Sequence, residues 1–258
     1  MPLPPPIYPA LPESPRPVIA RASDLPGGHV IAPHRHDRAQ LLYGSTGVVL
    51  ATTPDGSWMM PPERGLWIPA ETEHSVQTFG KVQTHSLYFD PAILPAMPAR
   101  CRVLGIPPLM RALLAEAVAL PRAYDEAGRD GALMALILAE LPRLPALPLS
   151  LPLPRTAALA RRCRAFLSRP DPHDRIEDWA RALGMSRRTF TRAFKRETGL
   201  SFVAWRQQAC VMAALPRLAA GDAVTTIAID LGYENPAAFT AMFRRTLGAS
   251  PREYLGRR

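Results

Sequence analysis

A unit of thirteen residues occurs twice near the C-terminus, as FTRAFKRETGLSF at 190–202 and as FTAMFRRTLGASP at 239–251. The copies share Phe, Thr, Phe, a basic pair, Gly and Ser at the same spacing, and their surroundings repeat as well. Ahead of the first copy, Ile176, Trp179, Ala180 and Leu183 recur at helical spacing, Gly184 offers a left-handed stop and Ser186 a helix N-cap. Ahead of the second, Val224, Ile227, Ala228 and Leu231 take the same positions, followed by Gly232 and by Asn235-Pro236, a cap with proline at the first helical position. Asp174 and Glu177 have the spacing of a capping box and predict the start of the first helix. A short helix, a glycine turn and a second helix backed by Phe190 and Phe194, or by Phe239 and Phe243, make a helix-turn-helix, and the chain carries two.

The fronts of the two second helices differ. At about 100° per residue, Arg188, Thr191, Arg192 and Lys195 gather opposite the phenylalanines of the first copy, and Ala237, Thr240, Ala241 and Arg244 opposite those of the second. Arginine can make paired hydrogen bonds to guanine, whereas alanine can only touch a thymine methyl. The expectation is base reading by Arg188, Thr191, Arg192, Ala237, Thr240 and Ala241, dominated by the first unit. Phosphate contacts are expected from Ser186, Arg187, Lys195, Asn235, Arg244 and Arg245. A helical segment of about 15 residues from Val203 would set the two heads roughly one DNA turn apart. Pro216, inside that segment, predicts its end or a kink.

Charge agrees with a polyanionic partner for this half. Residues 1–150 carry 12 Lys and Arg against 13 Asp and Glu, while residues 151–258 carry 19 against 9, so the net charge of +9 belongs to the second half. Double-stranded DNA is the expected partner. The N-terminal MPLPPPIYPALPESPRP has neither the apolar run of a membrane span nor the form of a signal peptide, and Cys101, Cys163 and Cys210 lack any paired spacing, which fits a reducing cytoplasm and no membrane partner. The proline-interrupted LPRLPALPLSLPLPR marks a junction. The expected organisation is a flexible arm over 1–17, a first domain over 18–141, a proline-rich linker over 142–154 and a DNA-binding domain over 155–258.

The first domain reads as short alternating strands, among them GVVLATT and SWMM on either side of Pro54-Asp55-Gly56, and so as a small antiparallel barrel or sandwich. Two helical stretches follow, near 107–120 and 130–141. In the second, Leu133, Leu136, Ile137 and Leu141 recur at helical spacing, but GALMALILAEL is apolar most of the way round, which suggests either a homodimer interface or packing on the barrel. The fold class is thus α+β, a β-barrel with two helices followed by an all-α domain.

Within the barrel, PHRHDRAQLLYGSTG places His34, His36 and Gln40 an even number of residues apart, on one side of a strand, and WIPAETEH ends in His74. These stretches resemble the two cupin motifs, with Gln40 in place of the expected glutamate and Glu71 where glycine usually makes the turn. The resemblance implies convergence of His34, His36 and His74. Three neutral imidazoles could hold a divalent transition metal; the two departures favour a metal-free pocket for a small effector.

The stretches ALGMSRRTFTRAFKRETGLS and IAIDLGYENPAAFTAMFRRTLGASPREYL closely resemble the DNA-binding domain of the AraC/XylS family, and a cupin-like domain ahead of it is similar to that family's sensing architecture. Cys210, where the family commonly has arginine, and Pro216 depart from the pattern. The resemblance implies a non-enzymatic, often dimeric transcriptional regulator controlled by a small-molecule effector, with RNA polymerase as a further partner. A metal-dependent cupin enzyme, a dioxygenase or isomerase with an appended nucleic-acid-binding module, is the rival reading, and the missing carboxylate at Gln40 weighs against it.

Overall fold

The computed structural model describes residues 14–94 and 96–256. It divides into two units, Met1–Thr53 with Trp58–Leu147, and Pro148–Arg258 with the turn Pro54–Ser57.

The first unit is built on strands β1 (Val18–Leu25), β2 (Val30–His34), β3 (Ala39–Gly44), β4 (Val48–Thr53), β5 (Gly56–Met60), β6 (Arg64–Ile68), β7 (His74–Phe79), β8 (Val82–Phe89) and β9 (Arg102–Gly105). One sheet runs in the order β1-β8-β3-β6-β9, and the other contains β5-β4-β7-β2. The Pro54-Asp55 turn joins β4 to β5, as its chemistry leads one to expect. Central strand β3 is buried along its whole length because both of its faces are covered. Ala39, Leu41 and Tyr43 lie in one core with Leu87 and Phe89 of β8 and with side chains of two helices, α1 (Pro108–Ala119) and α2 (Arg129–Glu140). Gln40 and Leu42 turn the other way and share the interior with Ile31, Val49 and Val76 of the second sheet. This alternation places a polar residue, Gln40, on an apolar inward face.

Helix α2 corrects one expected stripe. Leu133, Met134, Ile137 and Leu141 are buried, but Leu136 is 41% exposed. At about 100° per residue Leu136 lies about 60° to one side of Leu133, while Ile137, Leu141 and Met134 fan out to the other. Leu136 instead joins Ala132, Ala135 and Ala139 on an exposed apolar face.

Of the expected arm, residues 14–17 are described and the remainder lies outside the described residues. The Arg38 guanidinium donates to the carbonyls of Ser14, Arg16 and Pro17, and Arg16 pairs with Glu126 at 2.5 Å. The proline-rich stretch is built in as well. Leu144 is buried, the Gly105 amide donates to the Pro145 carbonyl and the Leu147 amide to the Val103 carbonyl.

The second unit contains strand β10 (Ser150–Pro152) and helices α3 (Ala157–Ser168), α4 (Ile176–Ala182), α5 (Arg187–Thr198), α6 (Phe202–Ala219), α7 (Val224–Asp230), α8 (Pro236–Leu247) and α9 (Pro251–Gly256). Phe166, Trp179, Phe190, Phe194, Phe202 and Trp205 form a continuous aromatic core around the first helix-turn-helix. Phe239 and Phe243, flanked by Tyr233 and Tyr254, form a smaller one in the second. All four phenylalanines that back the second helices are fully buried. Leu149 and Leu151 are buried too, and α6 donates to this segment through Trp205 Nε1 to the Pro152 carbonyl and Gln208 Nε2 to the Pro148 carbonyl.

One expectation fails here, and another fails in part. Asp174 and Glu177 do not form a capping box: Arg175 is the N-cap of α4 and makes no side-chain cap bond. Asp174 Oδ2 accepts from the buried Trp179 indole at 2.7 Å, and Glu177 turns outward to Arg187. An indole donor inside an apolar core needs an acceptor more than an exposed helix end needs a cap. Pro216 neither ends nor interrupts α6, which continues to Ala219 and stops at Gly221, whose φ is 92°. The proline stands in the last turn, so it forgoes a single bond to the Met212 carbonyl, while burial of Leu215 and Leu218 holds the helix.

Candidate functional site

The helix-turn-helix units present their polar faces through matched turns. Gly184 and Gly232 adopt φ of 65° and 85°, the left-handed conformation that lets the chain reverse between helices. Ser186 Oγ accepts from the Thr189 amide at 3.2 Å, and Asn235 Oδ1 from the Ala238 amide at 2.8 Å, so both residues expected at phosphates are helix N-caps. Beyond them Arg187, Arg188, Thr191, Arg192 and Lys195 line one open concave face of α5, all of them exposed. Among the described residues, ion pairs occupy Arg187, 3.2 Å from Glu177, and Arg196, 3.6 Å from Glu197, but not Arg188, Arg192 or Lys195. The cations at the centre of the face therefore carry no internal counter-charge. On α8, Ala237, Ala241, Arg244 and Arg245 are exposed and Thr240 is half-buried. The second face has the same geometry and fewer long donors.

Helix α6 couples the two helix-turn-helix units. Cys210, fully buried on it, hydrogen-bonds the Tyr233 hydroxyl, and burial pushes its thiol up to about 11. Arg217 pairs with Asp222 and Asp230, each at 2.8 Å, and so ties the end of α6 to α7.

The barrel assembles a second site. His34 closes β2 and stands directly across from His74, the first residue of β7. His36 lies in the connection between β2 and β3, not on the strand with His34, and the pairing of β2 with β7 shifts register between Ile31 and His34. The expected alternation along one strand is thus replaced by a bulge and a turn, which still bring the rings together. Centroids of His34 and His74 are 4.3 Å apart, and those of His36 and His74 5.2 Å. One ring nitrogen of each histidine lies within 4.8 Å of those of the other two. Glu71 occupies the position noted for a missing glycine, and it does adopt left-handed backbone, with φ 59°. Its amide donates to the His36 carbonyl at 2.9 Å, so this turn positions the His36 loop.

Each imidazole is oriented by a backbone carbonyl two residues away in sequence. Nδ1 lies 2.9 Å from the Ala32 carbonyl in His34, 2.5 Å from the Arg38 carbonyl in His36 and 2.8 Å from the Thr72 carbonyl in His74. A carbonyl only accepts, so every Nδ1 carries the proton. Burial pushes His74 down to about 4 and lowers His34 as well, which keeps both rings neutral at pH 7. Gln40, from the other sheet, places Oε1 3.3 Å from His36 Nε2 and its NH2 on the hydroxyls of Ser86 and Tyr88, at 3.2 and 3.1 Å. Ser86 and Tyr88 did not figure among the expected site residues. The signal was present in β8, where Thr84, Ser86 and Tyr88 put polar groups on one face of a strand otherwise rich in apolar residues.

Comparison with known proteins matches both domains. Residues 16–137 match the model of an AraC-like ligand binding domain and residues 179–257 that of a helix-turn-helix domain. The HTH-type transcriptional regulator NimR of Escherichia coli strain K12 is 34% identical over 227 residues, which cover 87% of this chain and 82% of NimR. The HTH-type transcriptional regulator RipA of Corynebacterium glutamicum is 36% identical over 111 residues, 42% of this chain and 32% of RipA. Among solved structures, ToxT from Vibrio cholerae strain SCE256, bound to an unsaturated fatty acid, matches with a TM-score of 0.40 and 12% identity over 95% of this chain and 97% of that one. An AraC-like ligand binding domain ahead of a helix-turn-helix domain, and a transcriptional regulator 34% identical over most of both chains, place the chain in the AraC/XylS family of transcriptional regulators.

Proposed function

We propose that the two reading heads divide their labour, the first selecting sequence and the second acting mainly as a clamp. The observation that carries this is the contrast between two equivalent helix faces: exposed, unpaired Arg188, Arg192 and Lys195 around Thr191 on α5, against Ala237, Thr240 and Ala241 on α8. Arg188, Thr191 and Arg192 then read base edges in the major groove. Ser186, Arg187, Lys195, Asn235, Arg244 and Arg245 hold phosphates, aided by the amide groups at the starts of α5 and α8. Ala237, Thr240 and Ala241 offer the second segment only apolar contact and a hydroxyl.

Binding-site selection with the full-length protein tests this division. Replacing Arg188 or Arg192 with alanine is expected to cost on the order of 1 to 3 kcal/mol and to relax preference at particular base pairs, whereas Arg244→Ala should weaken binding to all sequences alike and reduce its salt dependence. Equal information content in both groove segments, with the second segment responding to changes at Ala237 or Ala241, would contradict the clamp.

In the first unit, His34, His36, Gln40 and His74 form the pocket through which an effector acts. We read the protein as a non-enzymatic regulator working in the cytoplasm as a homodimer, with RNA polymerase as a further partner. Among the described residues, no helix is long and apolar enough to cross a membrane.

A further inference from the structure

We propose that Lys195 is an acylation site, modified by small acyl phosphates that dock on the arginines around it, and that its modification loosens DNA. The inference rests on the reading of this face as a phosphate contact and adds a chemical means of regulating that contact.

The sequence sets Lys195 apart. Of the 31 basic residues only two are lysines, Lys81 and Lys195. Every other cation on the two reading faces is an arginine. A guanidinium stays protonated in proteins and is no nucleophile, whereas an ε-amine can shed its proton and attack a carbonyl. Lys195 is therefore the one cation of these faces able to form an amide.

Its surroundings supply the rest of a site. Thr191 and Arg192 stand one turn before Lys195 on α5 and Arg188 two turns before, all on one flank of the helix. With Arg187 these side chains line a single concavity of about 580 Å³, open to solvent, and the lining contains no carboxylate. Glu197, the acidic residue of α5, lies about 200° round the helix from Lys195 and is bonded to Thr156. Among the described residues, Arg188, Arg192 and Lys195 make no ion pair.

Arginine takes up phosphate oxygens through paired hydrogen bonds. An acyl phosphate held by Arg192 thus has its carbonyl carbon beside the Lys195 amine, since side chains one turn apart start about 5 to 6 Å from each other. Docking turns a bimolecular encounter into a positioned one. The neutral amine, having released a proton to solvent, attacks the carbonyl carbon. A C–N bond forms, the C–O bond to phosphate breaks, inorganic phosphate leaves with the electron pair, and the second proton lost by nitrogen passes to water. The product is an uncharged amide.

Lys81 is the internal control. It is exposed in the turn between β7 and β8, flanked by Gly80 and Val82, and its carbonyl accepts from the Thr46 hydroxyl. An acylating agent that selects by exposure alone modifies both lysines; one that selects by its phosphate favours Lys195.

Loss of the charge acts on a face that binds by displacing counterions. Each phosphate contact adds about 0.9 to the slope of log affinity against log salt, so losing one should weaken DNA binding roughly eightfold at about 0.1 M salt. The loss should be the same for every sequence, because a phosphate contact carries no base information.

The test treats full-length protein with acetyl phosphate and, separately, with the N-hydroxysuccinimide ester of acetic acid, an activated acyl group without a phosphate. Peptide mapping by mass spectrometry assigns the acetyl groups. The ratio of Lys195 to Lys81 acetylation should be about tenfold or more higher with acetyl phosphate than with the ester. Replacing both Arg188 and Arg192 with alanine should bring it down to the ester's value, while continued reaction of Lys195 with the ester shows that the helix is still presented. A random-sequence DNA duplex at low salt should protect Lys195 and not Lys81. Equal ratios with the two reagents in the unaltered protein overturn the site, as does selectivity that survives the loss of both arginines. Duplex binding by the treated protein separates this proposal from the reading beneath it. Binding should weaken in the unaltered protein and stay unchanged in a treated Lys195→Arg variant. Selective acetylation without loss of affinity would remove Lys195 from the phosphate contacts, and with it the regulatory consequence. Weaker binding by Lys195→Gln without selective acetylation would leave the contact standing and remove the site.

Discussion

Glu197 shows how one side chain can join two helices. Its carboxylate accepts from the Thr156 amide at 2.9 Å and from the Thr156 hydroxyl at 2.8 Å, so a residue of α5 caps the start of α3, whose own N-cap side chain makes no cap bond. Burial alone would raise its pKa, but the bonds from Thr156, with Arg196 alongside, outweigh burial and hold the carboxyl below its ordinary range. A depressed folded pKa contributes stability that is present above the unfolded value, near 4.5, and is lost as pH falls through the folded one. Glu197→Gln should therefore lower stability at pH 7 by on the order of 1 to 2 kcal/mol. Its deficit should shrink as pH drops below 4.5, which urea titrations of both proteins at several pH values will show. A deficit constant with pH would mean that the carboxylate charge is irrelevant to the contact. Glu71 is a second residue whose role is local geometry: a non-glycine held at φ 59° costs about 1 kcal/mol, offset here by the amide it gives to the His36 loop.

At the level of elements, the features set by local periodicity were legible and those set by tertiary competition were not. The two helix-turn-helix units, their glycine stops and the Ser186 and Asn235 caps follow from spacing within a dozen residues. The convergence of His34, His36 and His74 was legible from motif spacing, but its route through a bulge and a turn was not, because register in β2 depends on its pairing with β7. Asp174 was misread because its acceptor oxygen is claimed by Trp179, a demand that appears only once the indole is buried. Pro216 does not end α6 because the packing of that helix outweighs one lost bond. Helix α2 was misread in phase, and its true phase leaves Ala132, Ala135, Leu136 and Ala139 facing outward. We assign the contact of the proposed homodimer to this face, since a stripe of small residues around one leucine lets two helices approach closely. Leu136→Arg should then convert the protein to a monomer in sedimentation velocity without unfolding it, because the side chain is already 41% exposed. An unchanged sedimentation coefficient would remove α2 from the interface.

Across the whole molecule, the division of charge and the division of structure do not fall at the same residue. Sequence alone sets the DNA-binding domain at 155–258, yet residues 148–153 are structurally part of it: Leu149, Leu151 and Leu153 are buried, and the Pro148 and Pro152 carbonyls accept from Gln208 and Trp205 of α6. A fragment starting at Arg155 would expose the apolar surface those leucines cover and leave the Trp205 indole without its acceptor. An unmet buried donor costs about 1 to 3 kcal/mol, and the lost leucine contacts add to that. Against a total stability of roughly 5 to 15 kcal/mol, the shorter fragment should be several kcal/mol less stable than one starting at Pro148. Both fragments retain the basic faces of α5 and α8, so their DNA affinity should fall steeply and equally with salt through counterion release. The predicted difference is in folding alone: the 148–258 fragment should melt at a higher temperature and bind the full-length protein's target DNA with undiminished active fraction, while the 155–258 fragment should lose active fraction on warming. Equal melting temperatures would show that β10 and its leucines contribute nothing to the DNA-binding unit, and DNA affinity retained by residues 1–147 alone would mean that the basic half is not the seat of binding.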